Sequence, residues 1–215
     1  MEQVAVLASG GLDSAVLIAD TAKTADVFPL YVQWGFPWEA EEKHSLQEFL
    51  GALRSPRVKP VTVLSVPAKS MYASDHWSVT GNAPGYEAPD EAVFLPGRNI
   101  LLIGLAAVWC ATHGVSRIGI GSLGSNPFPD ATPEFFEEYA RVLSSGLSHT
   151  VRVEAPFRGM HKEDLIRTHA GLPLELTLTC MSPKDGKHCG RCNKCREREE
   201  AFHKANVPDR TKYAA

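Results

Sequence analysis

Near the start of the chain an apolar run, Val4-Ala8, ends in Ser9-Gly10-Gly11-Leu12-Asp13-Ser14 and passes directly into a helical pattern from Leu12 to about Ala22. A strand, a glycine turn and a helix in that order leave few architectures open. The helix must fold back over a sheet, and its first amides open at the carboxyl edge of the strand. Such an edge suits an anion, because unpaired N–H groups and the positive end of the helix dipole face it together. Gly10 and Gly11 let the backbone approach a ligand, and Ser9 and Ser14 add hydroxyl donors. Asp13 cannot bind phosphate directly, so it would hold Mg2+ or a neighbouring amide. The turn lacks the Lys-Ser/Thr pair of the nucleoside-triphosphatase loop and the three spaced glycines of a dinucleotide fingerprint. Two glycines alone also fit an ordinary turn.

The alternation continues along the chain. Val27-Trp34 reads as a second strand in spite of Pro29. Glu39 to Leu53 reads as a helix with Leu46, Phe49, Leu50 and Leu53 on one face. Val61-Val66, Arg117-Ser122 and Val151-Phe157 supply three further strands. Asn99 to His113 is apolar and too long for a strand, so it is a buried helix closed by Gly114. Thr132-Pro133 opens another helix with a hydroxyl cap and a proline where no amide hydrogen is needed. His161 to Ala170 forms one more, ended by Gly171. The expected fold is α/β, a doubly wound, mainly parallel five-stranded sheet with a small C-terminal segment. At 215 residues and 44% hydrophobic the chain can bury a large core. Two regions break the rhythm: residues 67–95, long enough to act as a lid, and a cysteine-rich tail from Thr179.

Four of the five cysteines fall in that tail, as Cys180, Cys189, Cys192 and Cys195, spaced C-x8-C-x2-C-x2-C. Nothing resembles a signal peptide, and no apolar stretch is long enough to span a membrane, so the expected setting is cytoplasmic. In a reducing compartment such a cluster reads as a metal site before disulfides. A two-residue gap turns both thiolates onto one ion, and four thiolates suit tetrahedral Zn2+ with no open position, a structural site. An iron–sulfur cluster and a redox dithiol are the rivals, and His188 reads as a neighbour rather than a ligand. Lys184, Lys187, Arg191, Lys194, Arg196 and Arg198 would offset the charge of the site. Cys110 reads as a small buried hydrophobe. The net charge of −3 argues against a broad nucleic-acid surface.

The run Ser9-Gly10-Gly11-Leu12-Asp13-Ser14 resembles the SGGxDS motif of the PP-loop ATP pyrophosphatases, which split ATP between the α- and β-phosphates. Phe94-Leu95-Pro96-Gly97-Arg98-Asn99, the helix starting His161-Lys162-Glu163 and the tail from Thr179-Cys180 to Phe202 resemble, in order, motifs of the 7-cyano-7-deazaguanine synthase family. That resemblance implies an ATP-dependent, AMP-forming ligase of queuosine biosynthesis. It would convert 7-carboxy-7-deazaguanine and ammonia into the nitrile through adenylation, with loss of pyrophosphate, and would use ATP, Mg2+ and Zn2+. Carried over residue by residue, Ser9, Gly10, Gly11, Leu12, Asp13 and Ser14 form the pyrophosphate loop. Arg98 and Asn99 stabilise phosphate charge or position ATP, Lys162 contacts phosphate, and Gly121 and Ser122 stand at the active-site edge. Asp13, Arg98 and Lys162 are the catalytic set. A homodimer is implied as well, with residues 1–178 as the ATP-binding domain and 179–215 as the zinc-binding tail.

The sequence departs from the family in two places. After the fourth strand the family reads like D-F-S-G-Y-P-D-C-R, whereas this chain has Gly124-Ser125-Asn126-Pro127-Phe128-Pro129-Asp130-Ala131-Thr132, without the final basic residue. After the second strand Trp34-Gly35-Phe36-Pro37-Trp38 replaces an R-H-containing stretch. Trp34, Phe36, Trp38, Trp77 and Phe128 are candidates to stack on a purine-like ring, or else packing residues. His76 is a candidate base or a loop-surface histidine. Three alternatives therefore stay open: a related ligase that stops at an amide or joins the acid to another amine, a PP-loop RNA-modifying enzyme, and a zinc-stapled binding module without ATP turnover.

Overall fold

The computed structural model describes residues 2–67, 70–124 and 126–214. Ser125, in the altered segment, and residues 68 and 69 of the long stretch lie outside the described residues. The elements in chain order are β1 (Gln3–Ala8), α1 (Leu12–Thr21), β2 (Asp26–Gln33), α2 (Glu39–Leu53), β3 (Thr62–Ser65) and α3 (Trp77–Thr80). They are followed by α4 (Arg98–His113), β4 (Arg117–Gly119), α5 (Pro133–Leu147), β5 (Arg152–Glu154), α6 (Lys162–Thr168) and α7 (Asn193–Ala205).

The strands form one sheet in the order β3-β2-β1-β4-β5, and every neighbouring pair is parallel. β1 lies in the middle and is buried on both faces. Ala5 and Leu7 join one core with Leu30, Ile103, Ala106 and Ile118. Val4, Val6 and Ala8 join the other with Val16, Ile18, Tyr31 and Leu165. That split is the period-two alternation of a strand covered by helices on both sides. Truncating fully buried Leu30 to alanine would cost about 2–5 kcal/mol through lost transfer energy and the cavity left behind.

Pro29 is tolerated in β2 for a local reason. Val27 exchanges bonds with Arg57 and Lys59 on the β3 side of the strand, so two residues on, Pro29 turns its missing N–H to that same side. The β3 ladder begins only at Leu30, and no ladder bond is lost.

Where the sequence pattern and the structure differ, the chain leaves the ladder early. β4 ends at Gly119 and β5 at Glu154; after one more bond, from the Ile120 amide to the Glu154 carbonyl, Gly121 and Ser122 line the cleft at the carboxyl edge. Residues 70–95 are also less irregular than their composition implies, holding α3 and a 3-10 turn at Asp90–Val93. The tail contains a full helix, α7, which its metal-like spacing concealed. Thr132 caps α5 as expected, its Oγ1 accepting from the Phe135 amide at 3.1 Å. Among the described residues no helix is long and apolar enough to cross a membrane.

Candidate active site

The order in which strands join the sheet reverses between β1 and β4, the switch point where open α/β sheets bind ligands outside the carboxyl ends of their strands. A cleft of about 330 Å3 opens there. The loop after β1 forms its floor. Gly10 has φ +74°, and a Cβ there would collide with the Glu42 carbonyl, so only glycine lets α2 pass this close. Gly11 caps α1 in extended conformation without any side-chain bond to the helix amides. Those first N–H groups therefore stay available to a ligand. Gly121 brings the loop after β4 against the same helix start, where a Cβ would sit 3.0 Å from the Asp13 carbonyl carbon.

Ser9 and Ser14 are used within the loop. The Ser14 hydroxyl donates to the Gly11 carbonyl at 3.0 Å and accepts from the Ser9 amide at 3.2 Å. The Ser9 hydroxyl accepts from the Gly11 amide at 3.2 Å. They preorganise the turn, so binding falls chiefly to the backbone. Leu12 is buried in the core and anchors the helix start.

Charged groups crowd the walls. Lys162, at the first turn of α6, places its Nζ 3.5 Å from Asp13 Oδ2 and against Glu197 Oε1. Burial alone would lower the Lys162 ammonium, but Asp13 and Glu197 outweigh it and hold the group above its ordinary value. Burial pushes the Asp13 carboxyl above its ordinary value, with Lys162 pulling it back. Glu197 behaves oppositely: burial would raise it, yet Lys162 and Lys194 hold it down at about 2. On the other wall the Tyr31 hydroxyl donates to Glu42 Oε2 at 2.9 Å. Burial pushes Glu42 up to about 7 against the pull of Arg98 and that hydroxyl.

Several cleft groups lack partners. Asp13 Oδ1, Arg98 Nε, Ser122 Oγ and the Trp77 indole nitrogen are buried without a hydrogen bond, and all four residues line the cleft. Unmade bonds in a dry site are costly. Asn99 differs, its side-chain amide donating to the Asp130 carbonyl at 3.1 Å while its backbone amide donates to Asp130 Oδ2 at 3.0 Å. It fixes the start of α4, and with it Arg98. The aromatic candidates stack chiefly on one another. Trp34 lies on Phe36, Phe36 on Trp38 and Trp38 on Trp77, with centroids 5.8, 4.9 and 5.5 Å apart. Phe128 stacks on Phe94 at 4.8 Å. The ladder forms an apolar wall of the cleft, and buried Glu39 ties its base by accepting from the Trp34 and Gly35 amides. His76 caps α3, its Nδ1 accepting from the Ser78 amide.

The sulfurs of Cys180, Cys189, Cys192 and Cys195 all lie within 4.8 Å of one another, each buried. Individual separations are 3.5 Å for Cys192–Cys195, 3.9 Å for Cys189–Cys195 and 4.0 Å for Cys180–Cys192. Four thiolates about 2.3 Å from a central Zn2+ in a tetrahedron stand roughly 3.8 Å apart, so the cluster fits a structural zinc ion. Backbone amides of Ser182 and Cys189 donate to the Cys180 sulfur, and that of Arg191 donates to Cys189. His188 is not a ligand. Its Nε2 accepts from the Thr179 amide at 3.1 Å, and burial followed by Arg198 lowers it to about 4, keeping it neutral. Arg198 is 1% exposed and bonds to Leu174, Thr177 and Thr211, so it braces the fold. Lys194 and Arg196 are paired with carboxylates. Among the described residues the N–H groups that donate to the sulfurs belong to the backbone.

Residues 3–206 match the family model described as queuosine biosynthesis protein QueC. The chain belongs to the QueC family. A 7-cyano-7-deazaguanine synthase of Anaeromyxobacter dehalogenans is 31% identical, over 97% of this chain and 94% of its own. One of Pseudomonas fluorescens is 28% identical over 99% and 98%. A crystal structure described as a predicted subunit of tRNA methyltransferase from Methanocaldococcus jannaschii matches with TM-score 0.52 and 15% identity, covering 79% of this chain and 75% of that one. That likeness concerns the fold alone.

In this QueC-family chain the structure gathers Ser9 to Ser14, Arg98, Asn99, Gly121, Ser122 and Lys162 around one cleft, and keeps the four cysteines together beside it. Sequence reasoning missed Glu42 and Glu197, and placed Lys194 beside the cysteines rather than in the cleft. Each is a charged residue on a helix, the commonest thing on a protein surface, and only its place in the cleft singles it out. One signal was present: Lys194 and Glu197 stand three apart, beside cysteines that must face inward.

Proposed function

We propose that this enzyme of queuosine biosynthesis is an AMP-forming ligase that adenylates 7-carboxy-7-deazaguanine with ATP and carries it with ammonia to 7-cyano-7-deazaguanine. The observation that carries the reading is the set of partnerless buried groups, Asp13 Oδ1, Arg98 Nε and Ser122 Oγ, around an uncapped helix N-terminus. A polyanion satisfies the amides and the guanidinium together. The α1 amides and Lys162 hold the β- and γ-phosphates, and Arg98 grips the phosphate chain from across the cleft. Asp13, with one oxygen free of protein partners, would hold Mg2+, which when bound neutralises phosphate charge. The aromatic wall offers an apolar face for a planar ring.

Chemically, a carboxylate oxygen of the acid attacks the α-phosphorus and pyrophosphate leaves, since hydroxide is too poor a leaving group for direct substitution. Ammonia then displaces AMP to give the amide. A second adenylation, at the amide oxygen, lets AMP depart again and leaves the nitrile. The four cysteines hold Zn2+ in a structural role. The same reading includes residues 1–178 as ATP-binding domain, residues 179–215 as zinc-binding tail, and a homodimeric assembly testable by light scattering.

Asp13→Ala is expected to lower pyrophosphate release at least about 100-fold with melting temperature and circular dichroism unchanged. Pyrophosphate release near the wild-type rate would refute the assignment of the loop. A second reading stops at an amide or a conjugate with another amine. Both altered positions after Pro129-Asp130 serve the fold, Ala131 as a fully buried residue and Thr132 as the α5 cap, so neither supplies the family's cation. Mass spectrometry of the product separates nitrile from amide.

A further inference from the structure

Opposite charges alternate across the cleft in a chain of which the proposed chemistry uses only Asp13 and Lys162. Asp13 Oδ2 faces Lys162 Nζ at 3.5 Å, and Lys162 contacts Glu197. Glu197 Oε2 in turn accepts from Lys194 Nζ at 2.5 Å, and Lys194 lies 3.6 Å from Asp90. The Lys162 side chain is only 14% exposed, so its two carboxylate partners act in a partly dry setting where pairing is strong.

A lysine ends four flexible carbons from the backbone and is a point charge without directional demand. One partner at 3.5 Å leaves its ammonium free to swing, the more so once Asp13 engages a cation. The second partner, Glu197, is the one that locates it. Glu197 sits on α7, whose N-cap is Cys192 and whose first turn holds Cys195, so the cysteine cluster sets where this carboxylate stands. The same helix start holds the stretch before α4. The Asn193 amide donates to the Pro84 carbonyl at 3.2 Å, Arg196 to the Ala88 carbonyl at 3.2 Å, and the Tyr86 hydroxyl to Glu199 at 2.8 Å.

We infer that Glu197 is a positioning residue, holding Lys162 toward the glycine loop, and that the cysteine cluster bears on the phosphate chemistry through α7. This rests on the reading of Lys162 as a phosphate contact. A glutamate at this place cannot touch phosphate itself without repulsion. It acts by fixing the cation that does, since small misplacements of a catalytic group lower rates steeply.

The test uses full-length, zinc-loaded protein with Glu197→Gln, Glu197→Asp, Lys162→Met and the Glu197→Gln/Lys162→Met pair. Glu197→Gln is expected to lower kcat for pyrophosphate release about tenfold, with KM for ATP changed less than about threefold. Zinc content should be unchanged. Glu197→Asp, which keeps the charge, should recover part of the loss, and it carries the test should the glutamine variant lose zinc. In the Lys162→Met background Glu197→Gln should have no further effect, because the two act as a unit. Equal losses in both backgrounds, or a wild-type rate for Glu197→Gln, would overturn the inference. If Lys162→Met alone keeps the wild-type rate, the phosphate role of Lys162 fails instead. The positioning claim is then decided by a crystal structure of Glu197→Gln. Lys162 Nζ is expected to lie beyond about 4 Å from Asp13, past ion-pair reach; retention of the 3.5 Å approach would overturn it.

Discussion

Among single residues, Glu42 and Gly10 give the sharpest expectations. The Glu42 carboxyl is raised in the fold to about 7 from an ordinary value of 4.5. The native state therefore holds a proton that the unfolded chain has released over that interval, and stability falls as pH rises from 4.5 to 7. Glu42→Gln keeps a hydrogen-bonding partner for Tyr31 and cannot ionise. It is expected to raise the melting temperature at pH 8 by about 2–4 °C and to leave it unchanged at pH 4, as scanning calorimetry would report. A variant that melts like the wild type at pH 8 would mean that Glu42 is not held protonated. Gly10→Ala combines a positive φ with a collision against the Glu42 carbonyl, so it should lower stability by about 2 kcal/mol or more and weaken ATP binding with it. Unchanged melting and binding would contradict that geometry. Gly10 was legible, although two glycines alone would also fit an ordinary turn, because its Gly-Gly turn stands within the Ser9–Ser14 run between a strand and a helix. Glu42 was not, since its burial depends on Gly10 letting α2 approach.

The element scale turns on α7. Its buried positions, Cys195, Arg198, Ala201, Phe202 and Ala205, repeat at three and four residues, a helical period plainly present in the sequence. The cysteine spacing was the stronger signal and drew the whole tail into a metal-knuckle reading. Helix and knuckle are one unit, because Cys192 is the N-cap and Cys195 stands in the first turn. Metal removal is then expected to loosen more than the tail. Exhaustive chelation should lower the melting temperature by about 10 °C or more. It should also open residues 84–90 to limited proteolysis, since they are held by bonds to Asn193, Arg196 and Glu199. Cleavage of the tail alone, with 84–90 still protected, would show that this stretch is held independently. Residues 70–95 looked irregular in sequence because their order comes from these long-range bonds and from the Trp38–Trp77 stack rather than from local periodicity.

For the whole molecule, alternating strands and helices dictate a parallel sheet, and the strand order β3-β2-β1-β4-β5 puts the switch point beside the glycine loop. The fold and the glycine loop were readable for that reason, from local pattern plus the geometry of a βα turn, whereas Arg98, Asn99 and Lys162 were singled out only by resemblance to the family's motifs. The aromatic wall of the cleft was less readable. It is assembled from stacked rings and Glu42, with Glu39 tied to the Trp34 and Gly35 amides behind them, and these positions depend on how distant segments meet. In the proposed reaction this cleft transfers the oxygens of a carboxylate to AMP. The most direct test supplies 7-carboxy-7-deazaguanine labelled with 18O in its carboxylate, together with ATP and ammonia, and weighs the products. The result expected is the nitrile, with two AMP released per molecule and each carrying one 18O, alongside unlabelled pyrophosphate. Unlabelled AMP, or ADP and phosphate in its place, would contradict it.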